Sequence, residues 1–495
     1  MKNRLTIIIT ILLLAALSTS AIASNGTQIG TIGAKAISMA SCFRGLADDW
    51  SAAYFNPAGL VQLNGKLILG ASMGLIMPRG SYTPYAYPAT TLPSAGLYTN
   101  QRDAVDRNFF VPSFGLFYKP SDNLIFGVAV YAPFGLGTEW DLYHIPDGYG
   151  NANAMSKQNE HYSDHQVINI QPTIAIKVSD RISVGLGLSY IWGKMVLDQV
   201  KAVPHPILDP AYQQIYAALG PLQATHYRFY AENQLEGDGT SFGANLGILI
   251  KMSDKLSLGV SGRYASDLKL KGNLTQTYGF PLDAAKIQTL QQLQALGVIT
   301  AEESLQLQAL FSGQTITAID DAEAEASLPL PMTLGAGLAY KASDRLTLTA
   351  DASWTNWASW DIIALKGDGF DDLEMKENWV NTLEIGGGFE LLAMNRVNKQ
   401  FFVRGGFYTV DTPVPNATIS PTILDPNRRF VVTGGFGLNM GKVKINLSGE
   451  YVMFNEKDIP AASYVFDNSA IAENYAGVYN FNALVISLDT QISLH

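Results

Sequence analysis

Between Ile182 and Trp192 the chain alternates without a break. Ile182, Val184, Leu186, Leu188, Tyr190 and Trp192 fall on one side of an extended segment, and Ser183, Gly185, Gly187 and Ser189 on the other. The last segment repeats the pattern, setting Leu484, Ile486, Leu488, Ile492 and Leu494 against Ser487, Asp489, Gln491 and Ser493. Fourteen such segments are readable, starting near Lys66, Phe110, Leu124, Gln166, Ile182, Ser241, Leu256, Leu328, Leu346, Trp379, Gln400, Phe430, Val443 and Phe481. Tight polar turns of related sequence join pairs of them: Ser121-Asp122-Asn123-Leu124, Ser179-Asp180-Arg181-Ile182, Ser253-Asp254-Lys255-Leu256 and Ser343-Asp344-Arg345-Leu346. Short links also occur from Asn395 to Lys399 and at Gly441-Lys442. The remaining connections are long and uneven, at 78–108, 133–165, 197–240, 269–327, 358–378, 411–429 and 455–479.

Charge decides what the apolar face meets. Lys177, Lys251, Arg263, Asp351, Glu384, Glu390, Arg404, Lys444, Glu450 and Asp489 all fall opposite it. A soluble β-sandwich would turn its polar face outward; a lipid-embedded barrel turns it inward. Tyr118, Tyr190, Trp192, Tyr340, Trp354, Trp357, Trp379 and Tyr451 lie near segment ends, where membrane interfaces collect aromatics. The first residues read as an export signal. Lys2 and Arg4 precede an apolar run at 7–17, and Ala21-Ile22-Ala23 sets cleavage before Ser24. No other apolar run is long enough for a transmembrane helix. The expected fold is all-β, a fourteen-stranded antiparallel transmembrane barrel in the outer membrane of a Gram-negative cell. Its short turns face the periplasm and its long loops face outward.

Composition narrows the function. The 495-residue chain carries a net charge of −10 and no basic block, which argues against nucleic acid. Cys42 is the single cysteine, so no internal disulfide forms. The histidines are His144, His161, His165, His205, His226 and His495, mostly in long loops, and no serine nucleophile motif accompanies them. We expect no enzyme, no metal site and no cofactor; an outer-membrane hydrolase and a general porin are the rivals.

Two long loops carry helix signals. In "LDPAYQQIYAALGP" Asp209 caps, Pro210 fits the first turn and Gly220 ends a helix whose face holds Tyr212, Ile215, Tyr216 and Leu219. In the next loop Asp283 caps a segment with Ile287, Leu290, Leu293 and Leu296, and Thr300 with Glu303 forms a capping box ahead of Leu305, Ala309 and Leu310. These faces either pack on one another over the barrel mouth or frame an apolar landing site. Ahead of the first strand, residues 24–65 are rich in small residues and too irregular for a strand pair. They suit a plug, giving the division 1–23 leader, 24–65 plug and 66–495 barrel.

Within that plug "GAKAISMASCFRGLADDWSAAYFNPAGL" resembles the amino-terminal hatch of the outer-membrane long-chain fatty acid and hydrophobic-compound transporters of the FadL type (OMPP1/FadL/TodX), with Asn56-Pro57-Ala58 as its marker triplet. "YAPFGLGTEW", Tyr131 to Trp140, resembles the end of that family's third strand. The resemblance implies energy-free diffusion of a long-chain fatty acid or, alternatively, an aromatic hydrocarbon. It implies capture at the two helical loops, where Tyr212, Ile215, Tyr216, Leu219, Ile287, Leu290 and Leu293 are the candidates. Release would follow hatch movement and a lateral wall opening. Pro112, Pro133, Phe134 and Gly135 are candidates for that opening, since proline cannot donate to a strand ladder. Arg263 and Arg404, inward and nearest mid-height, are candidates for a carboxylate head group. Expected partners are the hydrophobic ligand, outer-membrane lipid and lipopolysaccharide, and the barrel assembly machinery, with the chain itself a monomer.

Overall fold

The computed structural model describes residues 26–30, 32–85, 100–142, 160–208, 212–223, 226–367, 370, 372–420, 425–460, 463–466, 470–473 and 475–494. The expected leader, Asp209 and Pro210 lie outside them. Fourteen strands form the wall. They are β1 (Leu67–Pro84), β2 (Phe109–Ser121), β3 (Leu124–Trp140), β4 (His161–Lys177), β5 (Ile182–Pro204), β6 (Arg228–Lys251) and β7 (Leu256–Ala265). There follow β8 (Thr333–Lys341), β9 (Leu346–Thr355), β10 (Thr382–Arg396), β11 (Lys399–Val410), β12 (Arg429–Met440), β13 (Val443–Phe454) and β14 (Gly477–Leu494). Each pairs antiparallel with its neighbour, and β14 closes the ring on β1 from Leu67↔Leu494 to Pro84↔Gly477. Closure pairs the first strand with the last, so the sheet has no terminal edge and the wall's backbone is satisfied within the ring except at one local parting between β2 and β3.

Three of the four Ser-Asp turns share one local device. Ser179 Oγ accepts from the amides of Arg181 and Ile182, at 3.3 and 3.1 Å. Ser253 does the same for Lys255 and Leu256, and Ser343 for Arg345 and Leu346, at matching distances. The serine replaces the ladder partners that the chain loses as it reverses. At Gly441 the reversal needs a φ of +62°, which glycine adopts without steric cost.

Along the wall the outward side chains are apolar and exposed, among them Leu116, Phe126, Ile174, Leu188, Phe242, Leu246, Leu334, Phe407, Val432, Leu447 and Leu488. Asp351, Arg404, Glu450 and Asp489 are buried on the other face. Lysine or arginine turned to lipid at mid-depth would cost about 2–4 kcal/mol, so the pattern fixes the sheet's sidedness.

Two strands reach further out than the alternation suggested. β5 and β6 stay paired to Pro204↔Arg228. The upper half of β6 then leaves β7 and pairs with an added strand, Leu268–Gly279, which pairs in turn with Thr315–Leu328. Much of the expected loops 197–240 and 269–327 is therefore sheet, and the eighth wall strand starts at Thr333, beyond the end of that hairpin at Leu328. Polarity explains the difference. In this extension Leu268, Leu270 and Leu274 are buried, while Lys194 pairs with Glu236, and Lys271 with Glu325, on exposed surface. The faces are reversed relative to the membrane zone because water, not lipid, lies outside.

Residues before β1 fold onto the inner face of the wall. They form two short helices, α1 (Ala34–Ser38) and α2 (Ala52–Phe55), and a 3-10 turn at Pro57–Gln62. Nearly all are buried. Inward glycines admit this segment. A Cβ on Gly259 would lie 1.9 Å from the Arg44 carbonyl oxygen, one on Gly247 2.1 Å from Asn56 Oδ1, and one on Gly185 2.4 Å from the Ala58 nitrogen.

Candidate functional site

The lumen is organised by contacts between wall and amino-terminal segment. Asn56 Oδ1 accepts from the Ala58 amide at 3.2 Å, while its Nδ2 donates to the carbonyls of Arg44 and Ile248, each at 3.0 Å. Asn56 therefore caps the 3-10 turn, Pro57 occupies that turn's first position, and Ala58 lies flush against Gly185. Arg44 meets Asp351 as an ion pair and donates to Ser261 and Ser353 at 3.2 and 2.9 Å. Lys35 bridges Asp48 at 2.8 Å and Glu390 at 3.2 Å.

The two head-group candidates fall into these networks. Arg404 donates to Glu390 at 2.7 Å and to Asn446 at 2.8 Å, and Asn446 donates on to Asp489 at 2.7 Å. The Arg263 guanidinium stacks 3.7 Å from the centre of the Tyr54 ring. Both hold the segment's surroundings in place, and the structure does not bring them together.

Of the lateral-opening candidates, Pro133, Phe134 and Gly135 are consecutive on β3, and Pro112 lies on the neighbouring strand β2 beside Ala132. β2 and β3 pair only from Phe114↔Val130 down to their turn. Above that level no ladder pair joins them among the described residues, while β3 continues beside β4 up to Trp140↔His161. A register shift between Tyr131 and Phe134 sits at this point, at Ala132 and Pro133. Pro112 on β2 faces it, and together with Phe114, Val130, Ala132, Gln166 and Ile168 lines a shallow recess there. From inside, the stretch Thr27–Ile29 takes the edge that β2 has left. Ile29 N donates to Pro133 O at 3.0 Å, Gly135 N donates to Thr27 O at 2.8 Å, and Gln28 bridges Phe134. Ile29 and Phe134 then join a packed apolar cluster with Trp140, Trp357, Trp360, Trp379 and Phe481.

The loop helices are α3 (Gln213–Leu219), α4 (Ala284–Ala295) and α5 (Ala301–Ala309). Asp283 accepts from Ala285 and Lys286, both at 3.1 Å, and the Thr300–Glu303 box closes on both sides. Leu219 and Leu290 are buried with Ile207, Leu222, Ile299, Leu307 and Phe311, and Ile215, Tyr216, Ile287 and Leu293 pack against them. Tyr212 is exposed, as are Leu296, Val298 and Leu305. His205 fixes the base of this cluster. Its Nε2 lies 2.9 Å from Leu310 O, and its ring stacks on Phe311 at 4.8 Å. Burial pulls its pKa down to about 4, so the imidazole is neutral.

Sequence reasoning missed Arg429, expected at the end of a loop and found as the buried first residue of β12, beside Asp425. Its adjacency to Arg428 hid it: Arg428 turns outward to Asp411 and Arg429 inward.

The geometry has counterparts among known proteins. The profile of the family described as outer membrane protein transport protein (OMPP1/FadL/TodX) matches residues 14–493. An outer membrane protein of Neisseria meningitidis serogroup B is 24% identical over 447 residues, 88% of this chain and 87% of that protein. Among solved structures, a Pseudomonas aeruginosa FadL homologue superposes with a TM-score of 0.69 at 20% identity, over 95% of this chain and 100% of the other. The Pseudomonas putida toluene transporter TodX superposes at 0.62 and 13% identity, over 90% and 94%.

Proposed function

The chain belongs to the outer membrane transport protein family OMPP1/FadL/TodX, and from that premise we propose that it is a passive channel for long-chain fatty acids or similar hydrophobic compounds. The observation that carries this reading is the stretch Thr27–Ile29 seated on the free edge of β3, where the wall has parted. Residues 24–65 act as its hatch. A ligand lands on the loop helices, where Tyr212, Leu296 and Leu305 offer apolar surface to the outside. It then passes along the apolar cluster that contains Trp140, Trp357 and Trp360, whose side chains part to admit it. Withdrawal of Thr27–Ile29 uncovers the seam between Pro112 and Pro133, and the ligand leaves sideways into lipid.

Energetics favour this route over a water-filled pore. Burying a methylene is worth about 0.8 kcal/mol, so a sixteen-carbon tail gains on the order of 12 kcal/mol in an apolar site. A chain of apolar sites ending in the bilayer spares the tail full exposure to water. No energy source is needed, because the ligand moves down its own gradient.

The test is a reversible lock. Gln28 and Phe134 oppose each other as an antiparallel bridge, which suits a disulfide. The double variant Gln28→Cys with Phe134→Cys, oxidised in liposomes, should lose palmitate uptake and regain it on reduction. Equal uptake in both redox states would remove the gating role from this stretch.

A further inference from the structure

The outward row of β6 crosses the membrane boundary without a break. Ile248, Leu246 and Ala244 face lipid, Phe242 ends the apolar stretch, and Thr240, Asp238 and Glu236 continue above it on the same side of the strand. The row beside it on β5 changes at the same level, from Leu188 and Tyr190 through Trp192 to Lys194. Trp192 Nε1 donates to Asp238 Oδ2 at 3.3 Å, which pins the indole at the height where the membrane meets water.

A recess lies on each side of that boundary. Above it, a cavity of about 880 Å³ opens on the outer face of β5, β6 and the added hairpin, lined among others by Trp192, Lys194, Glu236, Asp238, Lys271 and Asn273. Below it, one of about 830 Å³ is sunk into the lipid face from β5 to β10. Its lining includes Ala244, Gly262, Ala336 and Ala352, small residues on a face that elsewhere turns out Leu, Ile or Phe, and the exposed Tyr264 and Leu334 flank them. Both volumes are those of small-molecule sites. β6 gives Asp238 to the upper recess and Ala244 to the lower, about 20 Å apart along an extended strand. Neither recess includes Pro112 or Pro133, so this face is separate from the seam.

We propose that this outer face binds one molecule of a phosphorylated glycolipid of the outer leaflet, a lipopolysaccharide, with its sugars in the upper recess and an acyl chain in the lower. The assignment goes beyond the transport reading and stands without it. Lys194 and Lys271 supply donors for phosphate. At rest they pair with Glu236 and Glu325 on exposed surface, where an ion pair exchanges partners at little cost. Asn273 and the carboxylates meet sugar hydroxyls, and the Trp192 ring gives the apolar side of a sugar a flat surface. Glu139, Asp198, Glu236, Asp238 and Asp321 outnumber the two lysines, so the phosphates enter with their magnesium counter-ions. Hydrocarbon already in a bilayer gains nothing more from the hydrophobic effect, so the lower recess contributes packing alone and the head sets the affinity. A phosphatidylglycerol chain could fill the lower recess, but its small head leaves the upper one to water.

The experiment measures binding of deep-rough lipopolysaccharide and of phosphatidylglycerol to the full-length protein in detergent with magnesium present. The wild type should prefer lipopolysaccharide, an arm that needs no variant. Lys194→Met combined with Lys271→Met should weaken lipopolysaccharide about tenfold, the worth of a hydrogen bond to a charged group, and leave phosphatidylglycerol unchanged. Ala336→Phe fills the lower recess and should bring a smaller loss. Palmitate uptake stays at the wild-type level in both variants, since neither recess lies on the ligand's route. Equal affinity of the wild type for the two lipids, or unchanged lipopolysaccharide affinity in either variant, overturns the assignment. Self-association of the wild type that Ala336→Phe dissolves, with lipopolysaccharide still bound, gives the lower recess to a second copy of the chain and overturns it as well.

Discussion

At the residue scale, the lumen depends on side chains with more than one partner. Asn56 donates to two carbonyls and accepts from one amide, so Asn56→Ala removes three hydrogen bonds, those to Arg44 O and from Ala58 N in buried positions. Each lost bond costs about 1–3 kcal/mol when its partner stays buried. We expect the segment to loosen without unfolding of the barrel, detected as protease cleavage within residues 26–63 of folded, heat-modifiable protein. Gly259→Val should have a similar effect by another cause, because the new Cβ meets backbone and not a movable side chain. His205 gives a pH dependence of definite sign. Its pKa falls from the ordinary value of 6.5 to about 4 in the folded protein, so the unfolded loop binds more protons between those values. Stability conferred by the neutral imidazole is full above pH 6.5 and declines as pH falls toward 4. By pH 5 the loss is about 2 kcal/mol, read as lower hydrogen-exchange protection factors in 280–314 at pH 5 than at pH 7, after correction for the intrinsic rate at each pH, with the difference abolished in His205→Phe.

At the element scale, what was legible followed from which solvent each element meets. The wall strands announced themselves because lipid demands an apolar outer face over about ten residues. The hairpin Leu268–Gly279 with Thr315–Leu328 did not, because Lys271 and Glu325 face water while Leu270 faces in, and its alternation carries the opposite sign. Helices α4 and α5 were readable from their caps, since Asp283 and Thr300–Glu303 sit where orphan amides need acceptors. The seam was half legible: Pro112 and Pro133 marked weak pairing, but nothing in the sequence says that Thr27–Ile29 would take the vacated edge, a contact that spans a hundred residues. The loop helices also lean on one cation. Lys286 Nζ donates to Leu219 O at 2.7 Å and to Pro221 O at 2.9 Å, at the carboxyl end of α3. Lys286→Met should cost about 0.3–1 kcal/mol there, and free α3 from α4 before it affects the barrel. A spin-label distance between the two helices would broaden; an unchanged distance would show that the apolar contacts of Leu219 and Leu290 suffice.

At the scale of the whole molecule, a closed wall of fourteen strands encloses more space than inward side chains fill, and residues 26–63 occupy it. Two ion pairs tie them to the wall, Arg44 with Asp351 and Lys35 with Glu390, alongside the hydrogen bond from Gly26 to Asp425 and the apolar packing of Phe43, Trp50 and Phe55. Ion pairs of this kind contribute little net stability against an apolar alternative, yet removing one partner is expensive. A porin would have no use for such a stopper, and a sideways exit for lipid needs no aqueous path at all. The two readings part on conductance. In a planar bilayer the wild-type protein should pass almost no steady ionic current, and Arg44→Met combined with Lys35→Met should raise the current as the segment loses its hold. A large ohmic current in the wild type would assign the lumen to water and solutes; a silent double variant would mean that apolar packing of Phe43, Trp50 and Phe55 retains the segment unaided.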